Sequence, residues 1–512
     1  MSALALAKEE DEFDVAYDEL GDIVAFLRDS KSRELSHADL EAAINQRGRE
    51  LLRVLFQSHI DSRGQGAAAG PVCGEDGVVR NKERLHDRGL STIFGEVRVK
   101  RLGYGADGVN SLHPLDAELN LPKGEYSFGV RRIAAEQASL VSFDDTVQAL
   151  FERTGKAMGK RQVEELVQLS AVDFNAFYEQ RSPDISDPSS SILAISADGK
   201  GVVMVPRDLR EQTRKAAEKK SHKLNKRLSK GEKSNSKRMA TVAAVYTVKP
   251  YIRTPEQIAD SMAPVFEPAP ARPPVENKRV WASLEKSPDE VIEDAFLEGL
   301  RRDPERQKTW VGLVDGNAKQ LKLLKSLGKK HKVEITIIMD IIHVSEYLWS
   351  ASTVFNEESK HEQEKWVSER LQKVLHGKAA QVAAGMRRSA TLRKLTDKQR
   401  EPVDAAARYL LNNKDYMHYD RYLTAGLPIG TGVIEGACRH LIVDRMDGVA
   451  RWSLKGAESV LRLRALRSSG DFEQYWKYHF EQEYQRNYVA SYADGSVTPI
   501  RGRSQPNLTI VK

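Results

Sequence analysis

Asp198, Asp315 and Glu435 are the residues of this chain whose types and surroundings point most directly to chemistry. Asp198 closes the apolar run ILAISAD, Asp315 closes WVGLVD, and Glu435 lies about one turn into a helix predicted to open at GTGVIEG. Two carboxylates at strand ends and a third on a later helix can hold two divalent cations over a phosphodiester. Mg²⁺ takes oxygen ligands and keeps several waters, so few carboxylates are enough. Two such ions, about 3.5–4 Å apart, stabilise both the attacking and the leaving oxygen of an in-line displacement. On this reading Asp198 bridges the ions, Asp315 completes one site and Glu435 the other. Gly199 and Gly316 directly follow the aspartates. A residue without Cβ there lets the backbone turn away and leaves room for a phosphate. Asp-Gly is also a favoured turn dipeptide, so either pair taken alone reads better as an ordinary strand-to-turn junction. The three acids together favour metal.

MDIIHVSEYLW is a second constellation. Asp340 and His343 stand three residues apart where a strand is expected to pass into a helix. The pair could ligate a metal, orient a catalytic carboxylate or fix a loop, and the orienting or structural roles are the commoner ones for such a histidine. Asp340 competes with Asp315 for the second metal position. Asp315 is preferred because it leaves Asp340 on the next strand, paired with His343.

These residues need elements to position them. Helical apolar spacing covers DEFDVAYDELGDIVAFLRD and HADLEAAINQRGRELLRVLFQSHI near the start of the chain. A Gly-rich loop follows, and then LSTIFGEVRVKRLGY, which alternates apolar and polar residues as a strand pair does. A second helical block runs from Ser127 to about Arg181. Within it Ser142 caps SFDDTVQALFERTG and KRQVEELVQLSAVDFNAFYEQ makes the next helix, a pairing compatible with a helix-turn-helix. After the linker SPDISDPSSS come short β-rich runs: ILAISAD, GVVMVP, MATVAAVYTV, WVGLVD and VEITIIMD. The chain then turns helical through about residue 415 before the helix that carries Glu435.

Composition bounds the rest. The chain has 512 residues, 40% hydrophobic and 30% charged, with a net charge of +6. That is a multidomain globular protein with ample core and no apolar stretch of membrane-spanning length. The start, MSALALAKEEDEF, turns acidic too early for a signal peptide. Cys73 and Cys438 match no zinc spacing and suit a reducing compartment. Positive charge is concentrated. Residues 207–238 hold 13 Lys and Arg against 4 acids. Charge runs are usually solvated faces, but this one follows the first candidate strand, where Arg214, Lys215, Lys219 and Lys220 could meet a phosphate backbone. Arg439, Arg445, Arg451 and Lys455 follow Glu435, with Trp452 interleaved. Arg and Trp together can grip and stack on unpaired DNA; equally, Trp452 is core and the arginines pair with Asp444 and Asp447. Arg153, Lys156, Lys160 and Arg161 cluster at the turn of the helix-turn-helix candidate, where backbone contact and a plain helical scaffold are equally good readings.

A first strand, a fourth strand and a late helix that each present a carboxylate form the ribonuclease H-like arrangement. The expected fold is therefore an α/β catalytic core of that type with a helical insertion, preceded by a mainly α region containing a short β-hairpin. The chain also resembles bacterial insertion-sequence transposases of the ISKra type, within the Mutator-like group of DDE transposases. The resemblance rests on STIFGEVRVKRLGYG, HPLDAELNLPKGEYSFGVRRIAA, TGKAMGKRQVEEL, ISADGKGVVM, VGLVDGNAKQL, IIMDIIHVSEYLW and IGTGVIEGACRHLIVDRMDGVARWS. It implies that the first acid is Asp198, the third Glu435, and the second Asp315, with Asp340 and His343 as the signature that follows. Some relatives carry zinc-ribbon cysteines where this chain reads GADGVNSLHP, which argues against zinc here.

The expected organisation is an N-terminal helical region (1–65), a loop and β-hairpin region (66–126), a helical DNA-binding candidate (127–181), and a catalytic core (192–349) with its basic insertion. A helical insertion (350–425), the rest of the core (426–490) and a disordered tail (491–512) complete it. The expected activity is Mg²⁺- or Mn²⁺-dependent cleavage and strand transfer at terminal inverted repeats, using two ions. The expected partners are double-stranded DNA and a second copy of the chain, with no membrane, in a bacterial cytoplasm at the nucleoid. A non-catalytic DNA-binding derivative and a structure-selective nuclease on the same fold are the alternatives.

Overall fold

Alternation along LSTIFGEVRVKRLGY produces the expected hairpin. In the computed structural model, which describes residues 11–181, 191–219, 236–261, 272–355, 359–448 and 450–501, strands β1 (Lys82–Thr92) and β2 (Gly95–Ala106) pair antiparallel, and β3 (Val109–Leu112) adds a third strand. Gly95 closes the tight turn at φ 132°, a conformation open mainly to glycine. Leu90, Val97 and Val99 on the inner face pack with Ile60 and Leu115. This hairpin belongs to the first of two compact units, Met1–Glu179 with Phe472–Lys512; the second is Gln180–Asp471.

In the first unit, α1 (Asp14–Arg28) and α2 (His37–Ser62) form the N-terminal helices, with the Ser36 side chain capping α2 through the Asp39 N–H. The helices α3 (Phe128–Leu140), α4 (Phe143–Thr154) and α5 (Lys160–Leu169) follow. Ser142 caps α4 as expected and Gly155 ends it in the left-handed region. The core expected to run through residue 490 divides at Phe472. The helix Phe472–Asn487 packs here because its buried polar groups find partners here: Tyr475 donates to the Ser170 carbonyl (2.8 Å), His479 lies 2.6 Å from Asp173, and Arg486 donates to the same carboxylate (2.8 Å). Residues expected to begin a disordered tail are also ordered: Tyr492 and Ile500 are buried, and the Arg501 N–H donates to the Ala67 carbonyl at 2.8 Å. Residues 502–512 lie outside the described residues.

The second unit is built on five strands: β4 (Ile192–Val203), β5 (Lys237–Val248), β6 (Glu276–Ser283), β7 (Thr309–Val314) and β8 (Ile335–Met339). Their order is β8-β7-β4-β5-β6. The β4–β5 and β5–β6 pairs are antiparallel, and β4–β7 and β7–β8 parallel. Between β4 and β5 the basic segment forms a short helix, α6 (Glu211–Glu218). ILAISAD and GVVMVP are one strand rather than two. Gly199 stays paired with Thr241, so the Asp-Gly step makes no turn, and Asp198 lies within β4 rather than at its end. The strand β6 was not anticipated. Its charged start masks it, because Arg279 is buried against Glu298.

Helices α7 (Pro288–Arg302) and α8 (Ala318–His331) flank β7, and α9 (Ile341–Phe355) leaves the end of β8. The insertion is helical as expected: α10 (Lys360–Leu375), α11 (Ala379–Leu392) and α12 (Asp397–Asn413). The chain returns through α13 (Gly432–Cys438), which runs into a π-helical turn at Arg439–Val443, and then α14 (Leu454–Ser469). Among the described residues no helix is long and apolar enough to cross a membrane.

Candidate metal centre and acidic site

Strand register brings three aspartates level. The parallel β4–β7 pairing ends at Ser196↔Leu313, and Asp198 and Asp315 each lie two residues further on. The β7–β8 pairing ends at Met339↔Val314, and Asp340 and Asp315 each lie one residue further. The Asp340 N–H extends that ladder to the Val314 carbonyl at 2.8 Å. Parallel strands in register carry level residues in the same pleat phase, so Asp198, Asp315 and Asp340 sit side by side along one sheet edge. Asp315 caps its own turn by accepting from the Asn317 N–H (2.9 Å), while Gly316 at φ 100° takes the backbone out of the sheet.

Glu435 reaches this edge through two ties. Thr431, just before α13, donates its N–H (3.1 Å) and its hydroxyl (2.5 Å) to the Asp340 carboxylate. Cys438, one turn beyond Glu435 on the same helix, donates its thiol to Asp198 Oδ2 at 3.3 Å. One helix thus touches the outer two of the three level strands and carries the fourth acid between its contacts.

Asp340 is fully buried and its carboxylate is saturated. Oδ1 accepts from the Thr431 and Ile342 N–H groups, and Oδ2 accepts from the Thr431 hydroxyl and from His343 Nδ1 at 2.9 Å. That bond to Asp340 holds the His343 imidazole up at about 9, above its ordinary value, despite partial burial. Burial raises the Glu435 carboxyl, and the charges of Asp340, Glu346 and Asp198 push the same way against His343. The Cys438 thiol is pushed up by burial and by Asp198. The Tyr409 hydroxyl is pushed up by burial and then by Asp315, and it donates to the Asp315 carbonyl at 2.9 Å.

Asp340, His343 and Glu435 bring one ligand atom each within 4.8 Å of one another and could hold a metal ion. The structure therefore gathers Glu435 most tightly with the Asp340–His343 signature. Asp198 and Asp315 lie outside that set and are tied to it by the sheet register and, for Asp198, by Cys438. The donor set is rich in oxygen, which suits a hard divalent cation. Comparison with protein-family models and with curated proteins returns no match for this chain.

Several residues of the site were not visible as candidates in the sequence. Thr431 and Cys438 gain their roles only through contacts 91 and 240 residues away. Glu346 did leave a signal: Asp340, His343 and Glu346 recur every three residues, the spacing of one helix face.

The basic candidates divide. Lys156 donates to Ser91 (2.6 Å) and pairs with Glu96, Lys160 pairs with Asp144, and Arg161 pairs with Glu165 (3.1 Å), so these charges are partly answered within the first unit. Arg153 is exposed. On α6, Lys215 pairs with Glu211 and Arg214 with Glu218, and Lys219 is exposed just beyond the helix. Lys220 lies outside the described residues. Near α13, Arg439 is mostly exposed and pairs with Asp444 at 3.5 Å. Trp452 takes the core alternative. It is 8% exposed, Arg445 lies over its ring at 4.8 Å, and its backbone joins the Val203 carbonyl and the Val205 N–H. Arg451 is half-buried and Lys455 exposed.

Proposed function

We propose that this chain is a DDE-type DNA transposase of the ISKra type with a ribonuclease H-like core. It would bind the terminal inverted repeats of its element, cut them and join them to target DNA. One observation carries the reading: three aspartates level on adjacent strands of a β8-β7-β4-β5-β6 sheet, with Glu435 delivered against them by a helix that follows a helical insertion. The sheet, antiparallel over its first three strands in sequence and parallel over the other two, supports the ribonuclease H-like assignment.

Asp198, Asp315 and Glu435, whose carboxylates are less fully committed than that of Asp340, are assigned to the metals. Glu435 has no hydrogen-bond donor among the described residues while facing three other acids, an arrangement that a divalent cation would relieve. Two Mg²⁺ or Mn²⁺ ions would supply positive charge on both sides of the phosphoryl displacement. Asp340, with all four of its bonds committed, acts as a positioning residue: it fixes His343 and the approach to α13. In cleavage, a water oxygen would form the new bond to phosphorus as the 3′-oxygen leaves. In joining, that 3′-hydroxyl would attack a target phosphate and release a target 3′-hydroxyl, so one bond forms as one breaks. Exposed cations near the site would hold the DNA backbone in a salt-sensitive way.

The test is strand transfer of a labelled terminal-repeat duplex in Mg²⁺ or Mn²⁺, comparing wild type with Asp198→Asn, Asp315→Asn and Glu435→Gln. Product that forms with wild type and vanishes in all three supports the reading. Binding of the ends without cutting in either metal would make the chain a DNA-binding protein, and cutting without joining would make it a nuclease.

A further inference from the structure

Beside the acids, on the Asp315 side, the second unit contains a cleft of about 660 Å³ whose lining has the opposite character. One wall is a face of α8, with Lys322 and Lys325 one turn apart. The other is a face of α12 and the residues just after it, where Arg408, Tyr409, Asn412 and Tyr416 recur at helical spacing. Gly316 and Tyr347 also line it. Among the described residues no acidic side chain lines the cleft.

Three features of this lining point to one ligand class. Lys322 and Arg408 are exposed and have no acidic partner among the described residues, so two cations stand ready for an anion. The cleft is aromatic: Tyr347 and Tyr409 stack at 4.1 Å with rings 19° apart, and Lys325 stands 4.7 Å over the Tyr416 ring. The exposed Asn412 adds an amide able both to donate to and to accept from a base edge. Cations, aromatic faces and an amide are the components from which proteins bind nucleotides outside a duplex. The volume lies within the range of pockets that enclose a small ligand.

The cleft is also coupled to the acids. The hydroxyl of Tyr409 holds the Asp315 carbonyl, and a Cβ at Gly316 would come within 2.8 Å of the Tyr409 ring. The turn that carries Asp315 is therefore moulded onto the cleft wall.

We propose that this cleft takes up a single unstacked nucleotide of the DNA strand whose phosphodiester lies at the acids. The inference rests on the DNA reading above and adds a specific site to it. Lys322 and Arg408 hold the phosphate, the tyrosines hold the base, and extraction of the nucleotide fixes the register of the strand at Asp315. Unstacking costs least at a distorted or single-stranded position.

The experiment uses the full chain with oligonucleotides carrying a single 5-iododeoxyuridine at successive positions near a DNA end. Ultraviolet cross-linking is followed by mapping of the modified residue. We expect one position to cross-link to Tyr347, Tyr409 or Tyr416, and the yield to fall roughly tenfold or more in the Lys322→Glu/Arg408→Glu double variant, whose changes are at exposed positions. Cross-links of bound DNA that map only outside the cleft would overturn the proposal and leave the transposase reading in place. So would equal affinity of the cleft for thymidine 5′-monophosphate alone, which would make it a site for free nucleotides. Failure of the chain to bind DNA at any salt concentration would overturn both.

Discussion

Thr431 donates both its N–H and its hydroxyl to the carboxylate of Asp340, a residue 91 positions earlier in the chain. Thr431 is itself 5% exposed, and its carbonyl accepts from the N–H of Glu435 at 3.0 Å. The path from the end of β8 to the acid on α13 is therefore two hydrogen-bonded steps long. Thr431→Val removes the hydroxyl and leaves a buried carboxylate oxygen short of a donor, at a cost of about 1–3 kcal/mol. The expected result is lower stability in denaturant, restored in Thr431→Ser; on the proposed transposase reading, strand transfer should fall further than DNA binding and recover in the same variant. A Thr431→Val protein equal to wild type in stability and rate would sink the positioning role.

Metal binding should depend on the same geometry. Asp340 is the shared partner of His343 and Thr431, so Asp340→Asn disturbs two of its neighbours at once. Removing such an orienting partner typically weakens a metal site by about 10–100-fold. In Mn²⁺ titration by calorimetry, Glu435→Gln and His343→Ala should each weaken binding, and Asp340→Asn should fall within that range. If Mn²⁺ affinity is unchanged in all three variants, the cluster holds no metal.

A second buried carboxylate contributes to acid stability. Glu298, 5% exposed on α7, accepts from Arg279 (2.5 Å), Arg301 (3.0 Å) and Arg302 (2.8 Å). Burial works against its charge, but Arg279, Arg302 and Arg301 outweigh burial and hold it down at about 2. Its folded value lies below the ordinary carboxylate value, so its contribution is complete above about pH 4.5 and is lost as pH falls through about 2. That contribution is on the order of 3 kcal/mol. Glu298→Gln leaves three buried or half-buried guanidinium groups short of an anion and should cost about 3–5 kcal/mol at neutral pH. It should also flatten the acid limb of stability between pH 4.5 and 2. Denaturation followed by tryptophan fluorescence checks both, and an acid limb identical to wild type would refute the assignment.

What the sequence made visible follows from the range of each interaction. WVGLVD and VEITIIMD are apolar runs that end in an acid, and both end as strands where expected. The hairpin, the Ser142 cap and the helical insertion were equally local signals. ENKRVWAS hid because Lys278 and Arg279 look like a surface segment, while the partner that lets Arg279 be buried, Glu298, comes from another element. Asp198 looked like a strand end because Asp-Gly favours turns. Pairing of Gly199 with Thr241 overrides that preference. The site divides the same way. Asp198, Asp315, Asp340 and Glu435 stand out as acids that close apolar runs or open a helix, but the ties that bring them together run from Asp340 to Thr431 and from Asp198 to Cys438, across separations at which sequence pattern carries no information.

If the chain acts as the proposed transposase, the assembly that pairing two DNA ends would need has a candidate surface on α1. Ala16 and Ile23 face inward, whereas Tyr17, Leu20, Val24 and Leu27 are 66%, 46%, 37% and 40% exposed. Their 3-4-3 spacing is that of a coiled-coil seam, which a second copy of the same helix would match. A row of apolar side chains at that spacing is unusual on a face meant for water, because each exposed residue forgoes burial energy that a partner would return. Leu20→Glu/Leu27→Glu places like charges at two seam positions while leaving the inward face untouched. Sedimentation should show wild type as a dimer at micromolar concentration and the double variant as a monomer with unchanged helix content. Wild type that sediments as a monomer, alone and with paired DNA ends, would remove α1 as the interface.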